Sequence, residues 1–71
     1  MSDREIALEQ ALIVVLGAVQ DLDLGVDGVA QKANGLVIDN SKYRHVGHPH
    51  VTNACNEIDA ALASVKAKAQ A

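Results

Sequence analysis

Residues 8–36 read LEQALIVVLGAVQDLDLGVDGVAQKANGL, and their apolar side chains recur at alternating steps of four and three residues. This spacing aligns one stripe of side chains along one face of a helix, turn after turn. Upstream of the stripe, Ser2 and Glu5 match a capping box. We therefore predict a long N-terminal helix of about residues 3–34, bent near Gly25. The stripe consists of Leu8, Leu12, Val15, Val19, Leu22, Val26, Val29, Ala33 and Leu36.

The C-terminal third repeats the same spacing. Pro49 suits the first turn of a helix and Gly47 precedes it as a breaker, which predicts a helix of about residues 49–68. Two amphipathic helices joined by a polar loop of about residues 38–48 predict an all-α fold, an antiparallel helical hairpin in a single domain of residues 1–71. The second stripe consists of Val51, Ala54, Cys55, Ile58, Ala61, Leu62, Val65 and Ala69.

The stretch from Leu24 to Gly35 admits an alternative. Gly25 and Gly28 each weaken a helix by roughly 1 kcal/mol relative to alanine, so a separate helix from Val26 to Ala33 competes with one bent helix. The continuous stripe favours the bent helix. The residues able to cap or stop a separate helix are Asp23, Asp27, Asn34 and Gly35.

Composition narrows the functional classes. The chain has 71 residues, a net charge of −3 and one aromatic residue, Tyr43, which argues against general nucleic-acid binding. The longest apolar run, residues 11–19, is about half of the ~20 residues that a membrane helix needs. Cys55 is the only cysteine, and the acidic N-terminus does not resemble a secretory signal, so we expect a cytoplasmic protein without an internal disulfide.

The N-terminal helix is apolar on two faces. At about 100° per residue, Ile6 and Ile13 lie nearly opposite Leu8 and Val15. Each large aliphatic side chain left in water forfeits roughly 1.5–3 kcal/mol relative to burial, and one partner helix covers only one face. We therefore predict a homodimer that pairs two hairpins into a four-helix bundle. The expected interface consists of Ile6, Leu8, Leu12, Ile13, Val15, Val19, Ile58 and Leu62.

The connection between the helices carries a basic cluster. Residues 39–50 read DNSKYRHVGHPH and hold every histidine of the chain. Three interpretations are open: a solvated turn, an anion site and a metal site. Lys42, Arg44 and the histidines would bind the anion. The candidate metal ligands are His45, His48 and His50, joined by Asp39 or Cys55, although their spacing matches no zinc signature.

Catalysis finds little support in the sequence. Cys55 lies on the apolar stripe, where a thiol is inert, and Glu57 and Asp59 are too close in sequence to face each other on a helix. Ser41 and Ser64 have no evident base. We expect neither enzymatic activity nor a cofactor.

The preferred function is therefore a small dimeric regulator, inhibitor or adaptor that binds another protein. It would present either a helix face or the Lys42–His50 loop to its partner, with Tyr43 and Arg44 as anchors on the loop, because tyrosine and arginine dominate protein-binding hot spots. An exposed remnant of the Ile6/Ile13 face is an alternative docking groove for a partner helix. The alternative is a ligand-binding bundle that holds a phosphate-like or nucleotide-like anion, or a divalent metal, at the Lys42–His50 loop. The expected partner-binding residues are Lys42, Tyr43, Arg44, His45 and His48.

Overall fold

The computed structural model describes residues 2–39, 41–47 and 49–69. Within these residues it contains no strand and three α-helices, α1 (Asp3–Asp21), α2 (Val26–Ile38) and α3 (His50–Ala69). The all-α class is confirmed. The two-helix hairpin is wrong, because the predicted N-terminal helix is divided into α1 and α2.

The start of α1 is the helix end that the sequence marks most clearly. The backbone N–H of Glu5 donates to Ser2 Oγ at 3.1 Å, which satisfies one of the free N–H groups of the first turn. In return, Ser2 Oγ donates to Oε1 of Glu5 at 3.3 Å. Asp3 and Glu5 also place negative charge at the positive end of the helix dipole.

A tight backbone turn ends α1. The N–H of Leu24 donates to the carbonyl of Val19 at 3.2 Å, and the N–H of Asp23 donates to the carbonyl of Gln20 at 3.0 Å. These two bonds form a Schellman motif, which needs one residue in the left-handed region. Asp23 takes that position with φ of 59°, a conformation that aspartate tolerates better than most residues.

Gly25 completes the break between the first two helices. Its φ of 75° is accessible to glycine, and it is the N-cap of α2 without a side-chain hydrogen bond. The prediction of one bent helix is therefore wrong here, and the alternative of a separate helix beginning at Val26 is correct. The expected stop at Asn34 and Gly35 is also wrong, since α2 continues to Ile38.

The three helices follow an up-down-up course. Nζ of Lys66 lies 3.0 Å from Oδ1 of Asp27, and Nδ2 of Asn34 donates to Oδ1 of Asp59 at 3.0 Å, so α2 and α3 run antiparallel. One groove between α1 and α3 is lined by Glu9 and Glu57, which both lie in the N-terminal halves of their helices. Another groove is lined by the C-terminal ends of the same two helices. α1 and α3 are therefore parallel to each other, and α2 runs antiparallel to both.

A small apolar core joins the helices. Its buried cluster contains Leu16, Val26, Ala61 and Val65, with partly buried neighbours around it. Valine and alanine dominate the cluster, so the helices approach closely but bury little volume. The Cα atoms accordingly span 36 × 28 × 15 Å, a flat shape. The neighbours are Leu12, Ile13, Val19 and Leu62.

The two predicted stripes differ in how they pack. On α3 the stripe faces the core, with Val51, Ile58, Ala61 and Val65 buried. On α1 the stripe is divided: Leu12 and Val19 contact the core, whereas Leu8, Val15 and Leu22 are exposed. The most buried residue of α1 is Leu16, which lies beside the predicted stripe. None of the helices in the described part of the chain is long and apolar enough to cross a membrane.

Candidate protein-binding surface

The outer side of α1 carries a continuous apolar surface, which we call the α1 apolar face. Its members share a sector of about 120° around the helix, directed away from Leu16, and every one of them is exposed. Between Ala7 and the C-cap residue Leu22, this sector contains no polar side chain. The face consists of Ala7, Leu8, Ala11, Val14, Val15, Ala18 and Leu22.

The large side chains of this face are poorly covered by their own chain. Leu8 is 57% exposed, Val15 59% and Leu22 69%, and Leu24 in the following turn is also exposed. Single exposed aliphatic residues are normal on protein surfaces, but a contiguous apolar strip is typical of an interaction site. The α1 apolar face is therefore the strongest candidate binding surface in the described residues.

Charged side chains lie at the two ends of the face and not within it. Arg4 shares the sector of the face, one turn before Leu8. Asp21 and Asp23 lie at the opposite end, on the last turn of α1 and in the Schellman motif. The N-terminal end of the face therefore carries Arg4 between the acidic residues Asp3 and Glu5, and the C-terminal end carries two carboxylates.

The structure separates the residues predicted for the dimer interface into two groups. Ile6, Leu8 and Val15 are exposed and free to contact another chain. The other five pack within the chain. Ile58 is buried, and the rest are partly buried against the core: Leu12, Ile13, Val19 and Leu62.

Five residues of the α1 apolar face are missing from the interface that the sequence predicts. They are Ala7, Ala11, Val14, Ala18 and Leu22. The signal that identifies most of them is a second series on the same helix, at steps of three, four, three and four residues. This series runs through Leu8, Ala11, Val15, Ala18 and Leu22.

The loop after α2 has a structural role that accounts for Arg44. Nη1 of Arg44 donates to the carbonyl oxygens of Val37 and Ile38 at 3.3 Å each. Oγ of Ser41 donates to the carbonyl of Leu36 at 2.6 Å. Both side chains satisfy carbonyl groups that have no partner within the last turn of a helix. Arg44 therefore caps α2 and is half-buried.

Other loop residues remain open to solvent. Tyr43 is 68% exposed, and Nζ of Lys42 lies 5.2 Å from the centroid of its ring, a cation–π geometry. His45 is exposed as well, whereas His48 lies outside the described residues. Of the residues expected to bind a partner, Lys42, Tyr43 and His45 thus form the accessible surface of the loop.

The described residues do not assemble a metal site. No group of three His, Cys, Asp or Glu side chains among them is close enough to hold an ion. His50 is exposed on the first turn of α3, and Cys55 is a free, half-buried thiol one and a half turns further on. The sequence-based suggestion that these side chains converge is not supported within this part of the chain.

The concave surfaces of the molecule are open grooves beside α1. One of about 280 Å³ is lined by Glu5, Leu8, Glu9, Leu12 and Glu57. Its three carboxylates repel an anionic ligand, and its lining contains no hydroxyl, thiol or amine side chain. No protein-family model, no curated protein and no solved structure matches this chain.

Proposed function

We propose that the protein is a non-enzymatic interaction module. It forms a homodimer through the α1 apolar face and binds another protein through the surface that the dimer leaves exposed. The observation that carries the proposal is the uninterrupted apolar sector of α1, exposed from Ala7 to Leu22. Tyr43 and Lys42, on the accessible side of the loop, are the proposed anchors for the other protein. A cytoplasmic location belongs to the same proposal and rests on the single free thiol, Cys55.

The exposed surface of the chain supports self-association. The solvent-accessible area is 5192 Å², whereas a folded monomer of 7.4 kDa is expected to expose about 4200 Å². The excess of about 1000 Å² is close to the ~800 Å² per partner that a standard protein interface buries. The excess exposed area is therefore of the size that contact with a second copy of the chain would cover.

The energy available from the face is of the same order as the cost of bringing two chains together. Leu8, Val14, Val15 and Leu22 each expose more than half of their surface. Full burial of such a side chain is worth roughly 1.5–3 kcal/mol, so the exposed part is worth about 1 kcal/mol or more. Eight such side chains in a dimer contribute about 10 kcal/mol, against an association cost of about 4–15 kcal/mol.

A matched pair of substitutions tests the proposal. Val15 and Ile38 are both 59% exposed, but Val15 is central to the α1 apolar face and Ile38 lies at the end of α2. We expect Val15→Glu to convert the dimer to a monomer in sedimentation velocity, because it places a carboxylate in an apolar interface. Ile38→Glu is expected to leave the mass unchanged. A monomeric unaltered protein, or equal effects of the two variants, would contradict the proposal.

The second candidate function is ligand binding at the Lys42–His50 loop. The exposure of Tyr43, Lys42 and His45 favours it, whereas the use of Arg44 as a helix cap weakens it. A ligand that binds the folded state raises the unfolding temperature by mass action. Thermal melts with inorganic phosphate and with zinc therefore distinguish the two functions. A concentration-dependent rise in either would favour the ligand-binding bundle over the interaction module.

A further inference from the structure

The α1 apolar face combines two patterns that constrain how a second copy can dock. Leu8, Ala11, Val15, Ala18 and Leu22 follow steps of three, four, three and four residues, the heptad spacing of a two-stranded coiled coil. Along this series, large and small side chains alternate strictly. The series spans 15 residues, from Leu8 to Leu22, or about 21 Å of helix, which is most of the length of α1.

In a parallel pair, each residue meets its own copy. Leu8 would face the partner's Leu8 and Ala11 the partner's Ala11, so wide layers would alternate with narrow ones. Two straight helices cannot follow such changes in spacing, and gaps would remain at the alanine layers. The packing of the series therefore disfavours a parallel arrangement.

An antiparallel pair removes this conflict. When residue 8 is level with residue 18 of the other copy, Leu8 faces the partner's Ala18 and Ala11 faces the partner's Val15. Every apolar layer then contains one large and one small side chain, so the helix spacing is uniform. The twofold axis passes near residue 13, close to the middle of Asp3–Asp21, and the two α1 helices overlap along nearly their whole length.

The same register brings both opposite and like charges together at the ends of the face. Arg4 becomes level with the partner's Leu22, between the partner's Asp21 and the partner's Asp23. Arg4 therefore lies between two carboxylates of the partner, while Asp3 and Glu5 become level with the partner's Asp23 and the partner's Asp21. In a parallel pair, Arg4 would meet the partner's Arg4, and the acidic ends would also meet each other. Like charges therefore meet in both orientations, and the packing of the apolar series carries the choice between them.

We propose that two copies of this chain associate through antiparallel α1 helices, in the register that places Leu8 against the partner's Ala18. The inference rests on the proposed self-association through the α1 apolar face. It goes further by fixing the direction and register of the contact.

Distances between spin labels test the orientation. A label on Asp3→Cys, in a Cys55→Ala background, is expected to be about 30 Å from its copy in the antiparallel dimer, because the two sites are 20 residues apart along the paired helices. A parallel dimer would give about 10 Å, the spacing of adjacent helices. A label on Gln10→Cys lies near the twofold axis and is the control, since both orientations give a short distance, within about 20 Å.

Charge exchange gives a second test. Arg4→Glu is expected to weaken dimerisation roughly tenfold, because a cation that lies between two carboxylates of the partner becomes a further carboxylate at each end of the dimer. This variant does not weaken α1 itself, since an acidic residue suits the first turn of a helix. Adding Asp21→Arg to the same chain is expected to restore the affinity, because each introduced glutamate would then face an arginine of the other copy.

The outcomes separate the inference from the proposal on which it rests. A monomeric unaltered protein would refute both. A dimer with a short Asp3 distance, or one in which Asp21→Arg fails to restore the loss from Arg4→Glu, would overturn the antiparallel orientation and leave the self-association intact. Long Asp3 and short Gln10 distances, together with restored affinity, would establish it.

Discussion

Two leucines on the same helix are expected to differ sharply in what their truncation does to stability. Leu16 is 4% exposed and Leu8 is 57% exposed. Truncation to alanine removes about three methylene equivalents, worth about 0.8 kcal/mol each when they are buried. Leu16→Ala should therefore lose about 2.4 kcal/mol of transfer energy and more for the cavity, for a total of about 3–5 kcal/mol. Leu8→Ala should lose about 1 kcal/mol, because its side chain is less than half covered.

Urea denaturation, monitored by circular dichroism, measures this difference. The measurement uses the lowest practical protein concentration, at which the monomer dominates. A domain of 71 residues is expected to have a total stability of about 4–11 kcal/mol. Leu16→Ala should therefore shift the midpoint strongly or prevent folding, whereas Leu8→Ala should remain helical with a small shift. Equal losses, or a larger loss for Leu8→Ala, would mean that α1 presents a different face to the core and would refute the assignment of the α1 apolar face.

Three other predictions test the loops and turns. Gly28→Ala should raise the free energy of unfolding by about 0.5–1 kcal/mol, since its new Cβ meets no atom within 4 Å, whereas Gly25→Ala should lower it by about 1 kcal/mol because φ is 75° there. Thermal melts of this pair check the break between α1 and α2, and equal signs would contradict it. Arg44→Ala should lower the unfolding free energy by about 1–2 kcal/mol through loss of the α2 cap, and an unchanged urea midpoint would refute that role. Tyr43→Ala should leave the midpoint within about 0.5 kcal/mol, and a larger loss would show that the ring is structural.

The elements that the sequence predicts well are those specified by local signals. Ser2 with Glu5 indicates the start of α1, and Pro49 with Gly47, two residues before it, indicates the start of α3. Sequence spacing misses the break after α1 because the Schellman motif uses Asp23 in place of the usual glycine, while the apolar stripe continues through it. Gly25 alone would indicate a break in the helix. The apolar stripe continues past it, however, and favours a single bent helix.

The binding surface is only partly predictable, because two apolar series overlap on α1. Leu12 and Leu8 belong to the same predicted stripe, yet one contacts the core and the other is exposed. Sequence spacing shows that both faces are apolar, but tertiary packing decides which face is covered by the chain itself. Arg44 illustrates the same limit, since its role as a helix cap depends on the path of the loop and not on its residue type.

Light scattering across a dilution series, with zinc and with EDTA, gives the solution mass of the unaltered protein and so tests self-association through the α1 apolar face. We predict a mass of twice 7.4 kDa that falls toward 7.4 kDa on dilution and is the same in zinc and in EDTA. A mass of 7.4 kDa at every concentration would contradict self-association through the α1 apolar face. A mass that depends on zinc would instead assign the assembly to the histidine-containing loop.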